Sequence, residues 1–294
     1  MSIPTSKPIN YVNNRDILKE IHISKTSYCS FVNPTEDHKY DFIVEVTDGT
    51  MEDLFEYMCR PETIQKAKEV HAARKSVELG EKQLPESIEK TDLVFRLMTW
   101  DHIPMAAKQP RKVVKKKTAK DVFDFEESDD LFGDLEDPTL EINDLVHVRV
   151  NFPPFQHYKF DVSGAPRCVG KSHWKGDLVT GEFSKDHGQT TNKLAKMYIM
   201  LCEKYAMKYN WRGYSYVDEF INTAILQLTY VGLRFNEARS SNGFAYFTQI
   251  VNNAFLRVLN SEKKTQHLRD DLLQANNLNP SYTRQGSSAG QYEE

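Results

Sequence analysis

The sequence predicts a mainly α-helical fold that carries an N-terminal α+β insertion and a charged, disordered linker. Helical spacing of apolar residues dominates residues 188–278. β-Branched or alternating apolar residues, which are typical of strands, occur in a few short stretches before residue 153. Between residues 108 and 144 a basic run passes directly into an acidic one, and such blocks of like charge repel themselves and bury too little apolar surface to fold.

Composition limits the class of protein. With 39% hydrophobic and 27% charged residues, 294 positions suffice for one large domain or two modest ones. No run approaches the roughly 18 consecutive apolar residues of a membrane helix, and Met1–Asn10 lacks the apolar centre of a secretion signal, so we expect a cytoplasmic protein. The net charge of -4 argues against a general polyanion binder, so a nucleic-acid surface requires local segregation of charge.

The chain before the linker divides into an N-terminal helical segment, residues 1–30, and a small α+β insertion, residues 31–107. Runs of good helix formers predict three helices. Three further stretches have the apolar pattern of strands and are expected to pair in a small sheet. The predicted helices are Arg15–Ser24, Met51–Cys59 and Glu62–Gly80, and the predicted strands lie within Phe42–Val46, Leu93–Thr99 and, after the linker, Leu145–Phe152.

The linker, residues 108–144, is the clearest boundary in the sequence. Its second part, residues 121–144, contains eleven carboxylates and no lysine or arginine. Ordering such a segment costs conformational entropy that little apolar burial offsets, so we expect it to be disordered. Its first part is basic and is either a DNA contact or a solubilising spacer. The basic residues are Lys108, Arg111, Lys112, Lys115, Lys116, Lys117 and Lys120.

After the linker, residues 145–187 form a loop-rich segment with some strand character, and a helical domain follows over residues 188–278. Apolar periodicity predicts four helices in this domain, with Thr190 or Thr191 placed to cap the first. Residues 279–294 are expected to be a disordered tail. The four helices are Thr191–Tyr209, Tyr216–Arg234, Phe244–Glu262 and a shorter one from Ser261 or Lys263 to Ala275.

The third of these helices has an unusual start, because three of its first four residues are aromatic. Phe244, Tyr246 and Phe247 spread over more than half of the helix circumference, so at least one is expected to face solvent or a ligand. Amide side chains follow, and between Arg234 and Arg269 six lysines and arginines outnumber two carboxylates. Aromatic faces stack on unpaired bases, amides read base edges and cations hold phosphates. The alternative is that the aromatics are core residues and the charges a solvated face.

The stretch from Arg234 to Asn260, RFNEARSSNGFAYFTQIVNNAFLRVLN, followed by SEKK, resembles region two of bacterial sigma factors. It resembles more closely the late-transcription sigma factor of T-even-like tailed phages, whose start the opening YVNN (11–14) also resembles. Cyanophage members of that family are similar over GKSHW (170–174), NWRGYSYVDE (210–219), RDDLL (269–273) and SYTRQ (281–285). The resemblance implies that the helical domain is a sigma region-two bundle.

The resemblance also implies a non-enzymatic specificity subunit that binds the RNA polymerase core of a bacterial host, in the host cytoplasm, and melts a TATA-like minus-ten promoter element. It places Tyr246 against the non-template strand, and Asn253 and Arg257 at the upstream edge of the element. The DNA-binding residues that it implies are Phe244, Tyr246, Phe247, Thr248, Gln249, Asn252, Asn253, Arg257, Lys263 and Lys264.

The melting wedge departs from the pattern of primary sigma factors. Gln249 and Ile250 stand where those factors carry paired tryptophans, so Phe247 or Phe244 is a candidate substitute. The preceding helix is implied to dock on a coiled coil of the largest polymerase subunit. The residues that map to its polymerase-facing side, where the alternative is a plain solvated surface, are Glu219, Asn222, Thr223, Leu226 and Thr229.

Too few residues follow Leu273 for a helix-turn-helix, so the resemblance implies recognition of one short element with help from a phage sliding clamp and a late co-activator. The C-terminal GSSAGQYEE contains acid but only Tyr292 as an apolar anchor. The linker segment Val122–Leu135 is a candidate substitute, because apolar residues among carboxylates can fold into a partner groove; the alternative is a solvated linker. Its anchors are Phe123, Phe125, Leu131, Phe132 and Leu135.

Other chemistry has little support in the sequence. The four cysteines show no CxxC pairing and are expected to be reduced thiols. Cys168 with His157, His173 and His187 fits no common zinc pattern, and no phosphate-binding glycine loop occurs, so we expect no enzyme, no cofactor and no metal. The competing function is a non-sigma adaptor that links RNA polymerase to other phage proteins and uses the aromatic helix only for packing.

Overall fold

The computed structural model describes residues 12–46, 49–107, 145–282 and 284. The described residues form two compact units, one from the ranges 1–99 and 150–294 and a smaller one from the range 100–149. The predicted linker, residues 108–144, and the predicted tail beyond residue 284 lie outside the described residues. No helix in the described part of the chain is long and apolar enough to cross a membrane.

The helices begin where polar side chains satisfy their first backbone N–H groups. The Thr191 hydroxyl accepts a hydrogen bond from the Leu194 N–H, and Thr50 forms a reciprocal capping box with Asp53. Gly80, with φ of 74°, lies in the left-handed conformation that ends many helices. The helices are α1 (Asn14–Thr26), α2 (Met51–Cys59), α3 (Pro61–Leu79), α4 (Asn192–Ala206), α5 (Val217–Val231) and α6 (Gly243–Ala275), with 3₁₀ turns at Pro85–Ser87, Lys90–Asp92 and Gly232–Arg234.

A five-stranded mixed sheet lies in the larger unit, with the strand order β1-β7-β6-β3-β2. In this sheet β2 and β3 pair in parallel, and the other neighbouring strands pair antiparallel. A two-stranded sheet, β8–β9, follows in the same unit. The strands are β1 (Cys29–Phe31), β2 (Phe42–Val44), β3 (Phe95–Met98), β6 (Phe155–Phe160), β7 (Pro166–Ser172), β8 (Trp174–Lys175) and β9 (Glu182–Phe183), with β4 (Met105–Ala107) and β5 (Leu145–His147) in the smaller unit.

The predicted mainly α-helical fold, a sigma region-two bundle with an insertion, is wrong, because the protein has an α+β fold. The sheet draws strands from both sides of the linker, so β2 and β3 share it with β6 and β7. The longest strands, β6 and β7, lie in the passage that was predicted to be loop-rich. The alternation of apolar and polar residues that marks a strand is absent from β6, because Gln156 and His157 are buried although they are polar.

The strand prediction over Leu145–Phe152 holds only for its first residues, which form β5. This strand pairs with β4 and not with β2 or β3, so the three predicted strands do not form one sheet. The last two predicted helices are one continuous helix, α6, of 33 residues. Nothing between residues 260 and 264 breaks it, since the segment contains neither glycine nor proline.

Two hydrophobic cores stabilise the larger unit. One lies among α1, α4, α5 and α6 and contains Ile17, Leu194 and Phe247. The other lies between α2, α3 and the sheet and contains Met58 and Phe95. Burial of each such side chain contributes about 1.5–3 kcal/mol. Because α1 belongs to the first core, the N-terminal segment and the helical domain fold together.

Candidate nucleic-acid interface

The antiparallel helices α5 and α6 form the frame of the candidate interface. Phe220, near the start of α5, stacks on Phe255 of α6 with ring centroids 5.0 Å apart. At the opposite end of the pair, the Tyr246 hydroxyl donates a hydrogen bond to the Val231 carbonyl oxygen at 2.9 Å. Contacts at both ends fix the rotation of each helix. The outward face of each helix is therefore defined.

The N-terminus of α6 is held by α1. The Asn242 side chain caps α6 by accepting from the Ala245 N–H at 3.0 Å. Asn14, at the start of α1, donates to the Ser241 carbonyl at 2.9 Å and accepts from the Phe244 N–H at 3.1 Å. Gly243 permits this approach, because a Cβ there would lie only 3.0 Å from Ile17. The aromatic turn of α6 is thus positioned by the N-terminal segment.

A buried ion pair fixes the connection that leads into α6. The Lys25 ammonium, only 1% exposed, lies 2.7 Å from the Glu237 carboxylate and donates to the Phe235 carbonyl at 2.6 Å. Burial opposes ionisation of Glu237, but Lys25 and Arg96 outweigh it and hold the pKa of that carboxyl below its usual value. Removal of either partner would leave an unpaired buried charge.

The guanidinium of Arg96 is also buried, beside this pair. It lies 3.9 Å from the ring centres of both Tyr40 and Phe155, so two aromatic faces enclose it. Its Nε donates to His157 Nε2 at 3.0 Å, and His157 Nδ1 lies 2.6 Å from the Asp37 carbonyl. His157 is therefore neutral with its proton on Nδ1. Burial first, and Arg96 second, lower the pKa of His157 well below its usual range.

The three aromatics at the start of α6 have different surroundings. Phe244 is 39% exposed, whereas Phe247 is 1% exposed and packs edge-on against Tyr198. Tyr246 is half-buried against Phe235, and burial raises the pKa of its phenol to about 12. One aromatic faces solvent, as the helix geometry requires. Phe247 serves as a core residue in this conformation and presents no face to a base.

The polar residues of α6 that were predicted to bind DNA are exposed or half-buried. Gln249 is exposed and donates to Asn253 at 2.8 Å, while Asn252 accepts from the Tyr205 hydroxyl at 2.8 Å. The Thr248 hydroxyl bonds to its own helix, at the Phe244 carbonyl. Further along the helix Arg257 is half-buried, and Lys263 and Lys264 are exposed. Amides therefore precede cations along one surface.

The residues predicted to face polymerase lie on an exposed side of α5. Glu219, Asn222, Leu226 and Thr229 are exposed, and Thr223 is half-buried at the border. Leu226 is 56% exposed, and Tyr230, one turn further on, is 69% exposed. The sequence did not single out Tyr230. Its exposure enlarges the apolar centre of this face.

The remaining predictions concern other parts of the chain. The clamp anchors Phe123, Phe125, Leu131, Phe132 and Leu135 lie outside the described residues. Within residues 12–46, 49–107 and 145–282, no group of three or more His, Cys, Asp or Glu side chains is arranged to hold a metal ion. All four cysteines are free thiols.

An open, largely polar cavity of about 550 Å³ near the start of α2 is lined by Glu45, Val46, Gly49, Asp53, Glu56, Tyr57 and Arg60.

Comparison with known proteins gives no match to a family model, a curated protein or a solved structure.

Four positioning residues were missed in the sequence: Asn14, Lys25, Arg96 and Glu237. Lys25 and Glu237 are 212 positions apart, and Asn14 is 227 positions from the Ser241 carbonyl that it binds. A charged residue is exposed in most proteins, so a lone lysine or arginine carries no local sign of burial. Only the folded chain shows that Asn14 holds the start of α6, that Lys25 and Glu237 fix the connection before it, and that Arg96 acts on the charge of Glu237.

Proposed function

We propose that this chain is a sigma-type specificity factor of late phage transcription. In this proposal α5 binds the RNA polymerase core of a bacterial host, and α6 recognises and opens a TATA-like minus-ten element, in the host cytoplasm. The observation that carries the proposal is the division of one helix pair into two outward faces. The α5 face has an apolar centre at Leu226, and the α6 face has amides followed by Lys263 and Lys264.

The exposed side chains of α6 include the groups that strand separation requires. An exposed aromatic ring stacks on an unpaired base with about 1–3 kcal/mol, which offsets the few kcal/mol that extrusion of the base costs. Phe244 has the exposed ring at the start of the helix, so we assign it the role of wedge. Gln249 and Asn253 would read base edges, and the two lysines would hold phosphates. The polymerase performs the chemistry, so this chain needs no catalytic residue.

Packing at the start of α6 favours one competing function, a non-sigma adaptor that links polymerase to other phage proteins. Phe247 is buried and the Tyr246 hydroxyl is bound to the Val231 carbonyl, as an adaptor with a purely structural aromatic helix would require. The adaptor would bind polymerase through α5 but would not open DNA. Contact with a sliding clamp or late co-activator through Val122–Leu135 stays a prediction from the sequence under either function.

Transcription assays with purified core polymerase separate the two functions. The full chain is compared on a duplex late promoter and on the same promoter with a pre-opened AT-rich element. A sigma factor directs initiation on both, and Phe244→Ala lowers initiation on the duplex while binding of core and initiation on the open template persist. Leu268→Ala, which truncates another exposed side chain of α6, serves as the control. Core binding without initiation on either template supports the adaptor, and absence of core binding contradicts both.

A further inference from the structure

The connection between α4 and α5, residues 207–216, presents an aromatic and basic surface that the proposed function does not use. Tyr209 is 86% exposed, and Lys208 and Arg212 on either side of it are exposed as well. Residues 204–217 contain Lys204, Lys208 and Arg212 and no carboxylate. An exposed aromatic ring between two cations is the combination that binds the sugar-phosphate backbone and bases of a nucleic acid.

A tryptophan anchors the connection to the helices on either side of it. Trp211 is buried, and its ring packs edge-on against Phe220 of α5 and Phe255 of α6, with centroids 5.4 Å and 5.3 Å away. The Trp211 and Arg212 N–H groups both donate to the Lys208 carbonyl, which closes a tight turn. Anchoring of Trp211 leaves its neighbours Tyr209 and Arg212 on the outside. Their exposure is therefore a property of a fixed turn.

This turn adjoins the middle of α6. The Lys208 ammonium lies 3.9 Å from the ring centre of Tyr205, and the Tyr205 hydroxyl donates to Asn252 at 2.8 Å. Asn252 is one of the predicted DNA-binding residues. Two contacts therefore connect a cation of the turn to the amide side chains on α6. The nearest acids along the chain, Glu203 and Asp218, lie on α4 and α5 outside the turn.

We propose that Lys208, Tyr209 and Arg212 form a second DNA-binding site, which extends the α6 face and contacts the DNA beside the element that α6 opens. The two cations bind backbone phosphates, and Tyr209 packs on a sugar or an unpaired base. The inference rests on the proposed binding of DNA by α6. It assigns to the α4–α5 turn the non-specific part of the affinity, since phosphate contacts position the DNA without reading its sequence.

The test measures the salt dependence of DNA binding. The full chain, alone and with core polymerase, is titrated with a labelled forked oligonucleotide that has an AT-rich junction, between about 50 and 200 mM KCl. Each phosphate contact contributes about 0.9 to the slope of log affinity against log salt, so Lys208→Ala/Arg212→Ala should reduce the slope by about 2. Tyr209→Ala should weaken binding about tenfold with little change in slope, and Tyr209→Phe should restore it.

A matched variant controls for net charge. Lys66→Ala/Lys90→Ala also removes two positive charges, from exposed positions on α3 and in the 3₁₀ turn Lys90–Asp92, and it should leave the slope unchanged. An unchanged slope in Lys208→Ala/Arg212→Ala, or an equal decrease in the control, overturns the second site. These outcomes are distinct from failure of the proposed function, which appears as loss of initiation by the unmutated chain. An unmutated chain that binds no DNA, with or without polymerase, overturns both.

Discussion

The Tyr246 hydroxyl donates a hydrogen bond to the Val231 carbonyl, and this contact joins the first turn of α6 to the last turn of α5. The ring of Tyr246 also packs on Phe235, whose carbonyl accepts from the buried Lys25. The residue that the sigma resemblance places against DNA is thus part of the packing that orients α6. Under the proposed function, DNA recognition and protein stability both depend on Tyr246, and substitutions can separate the two.

Tyr246→Phe should cost about 1 kcal/mol of unfolding free energy, because it removes one hydrogen bond and keeps the ring. Tyr246→Ala should cost more, since it also leaves a gap beside Phe235. If the ring contacts DNA, Tyr246→Phe retains promoter opening and Tyr246→Ala loses it, while both retain core binding. Urea denaturation and opening of a duplex promoter measure the two effects. Equal loss of opening and core binding in Tyr246→Ala would identify a packing residue.

Glu237→Gln should destabilise the protein by about 3–5 kcal/mol, because it leaves the buried Lys25 ammonium without a counter-charge. The double variant Lys25→Met/Glu237→Gln should recover part of this loss, since it removes the unpaired ammonium, while the buried Arg96 still lacks the Glu237 charge. Glu78→Gln breaks a pair with Lys39 whose side chains are 38% and 47% exposed, and it should cost less than about 1 kcal/mol. Chemical denaturation of the four proteins completes the comparison. Similar costs for the two pairs would contradict the role of burial.

Acid should destabilise the fold through His157 and His22. Burial and Arg96 lower the pKa of His157 well below 6.5, and the same causes lower the pKa of His22 to about 3. Below pH 6.5 the unfolded chain binds protons that the folded chain excludes, so stability falls as the pH falls, until the folded pKa is reached. Each histidine contributes up to about 1.4 kcal/mol per pH unit.

The contribution of His157 can be isolated by substitution. The slope of unfolding free energy against pH, between about pH 7 and 5, reports the protons that unfolding takes up. His157→Gln should reduce that uptake by up to one proton, whereas His267→Gln, at an exposed position on α6, should not change it. Urea denaturation at several pH values measures the slope. A slope that is identical in all three proteins would show that His157 binds a proton as readily in the folded protein as in the unfolded chain.

The sequence predicts the helices of this protein better than its sheet. Met51–Cys59 forms the helix predicted for it, and Thr191 caps α4, because periodicity and capping are local signals. The sheet depends on pairing between segments that are far apart, such as Phe95 with Tyr158, and its strands are short. Buried Arg96 and His157 interrupt the apolar pattern further. Local sequence patterns therefore predict the helices of this protein but not its α+β fold.

The sequence predicts that the aromatic residues of the candidate site spread around α6, but not which of them is exposed. The spread of Phe244, Tyr246 and Phe247 around α6 follows from helix geometry, yet which ring is exposed depends on Tyr198 and Phe235, from α4 and the end of the 3₁₀ turn. The positioning contacts of Asn14 and Lys25 have partners more than 200 positions away. Periodicity orders residues around one helix and does not identify the partner helix.

The α5 face offers a test of polymerase binding that is independent of DNA. Leu226→Ser should weaken binding to core polymerase by tenfold or more, since an apolar residue at the centre of an interface contributes on the order of 1.4 kcal/mol or above. Stability should change by less than about 0.5 kcal/mol, because Leu226 is 56% exposed. Glu219→Lys and Asn222→Ala should act in the same direction and spare opening of DNA by any complex that forms. Leu272→Ser, at a 66% exposed position on α6, is the matched control. Binding of core that is insensitive to all three α5 variants would move the polymerase contact away from this helix.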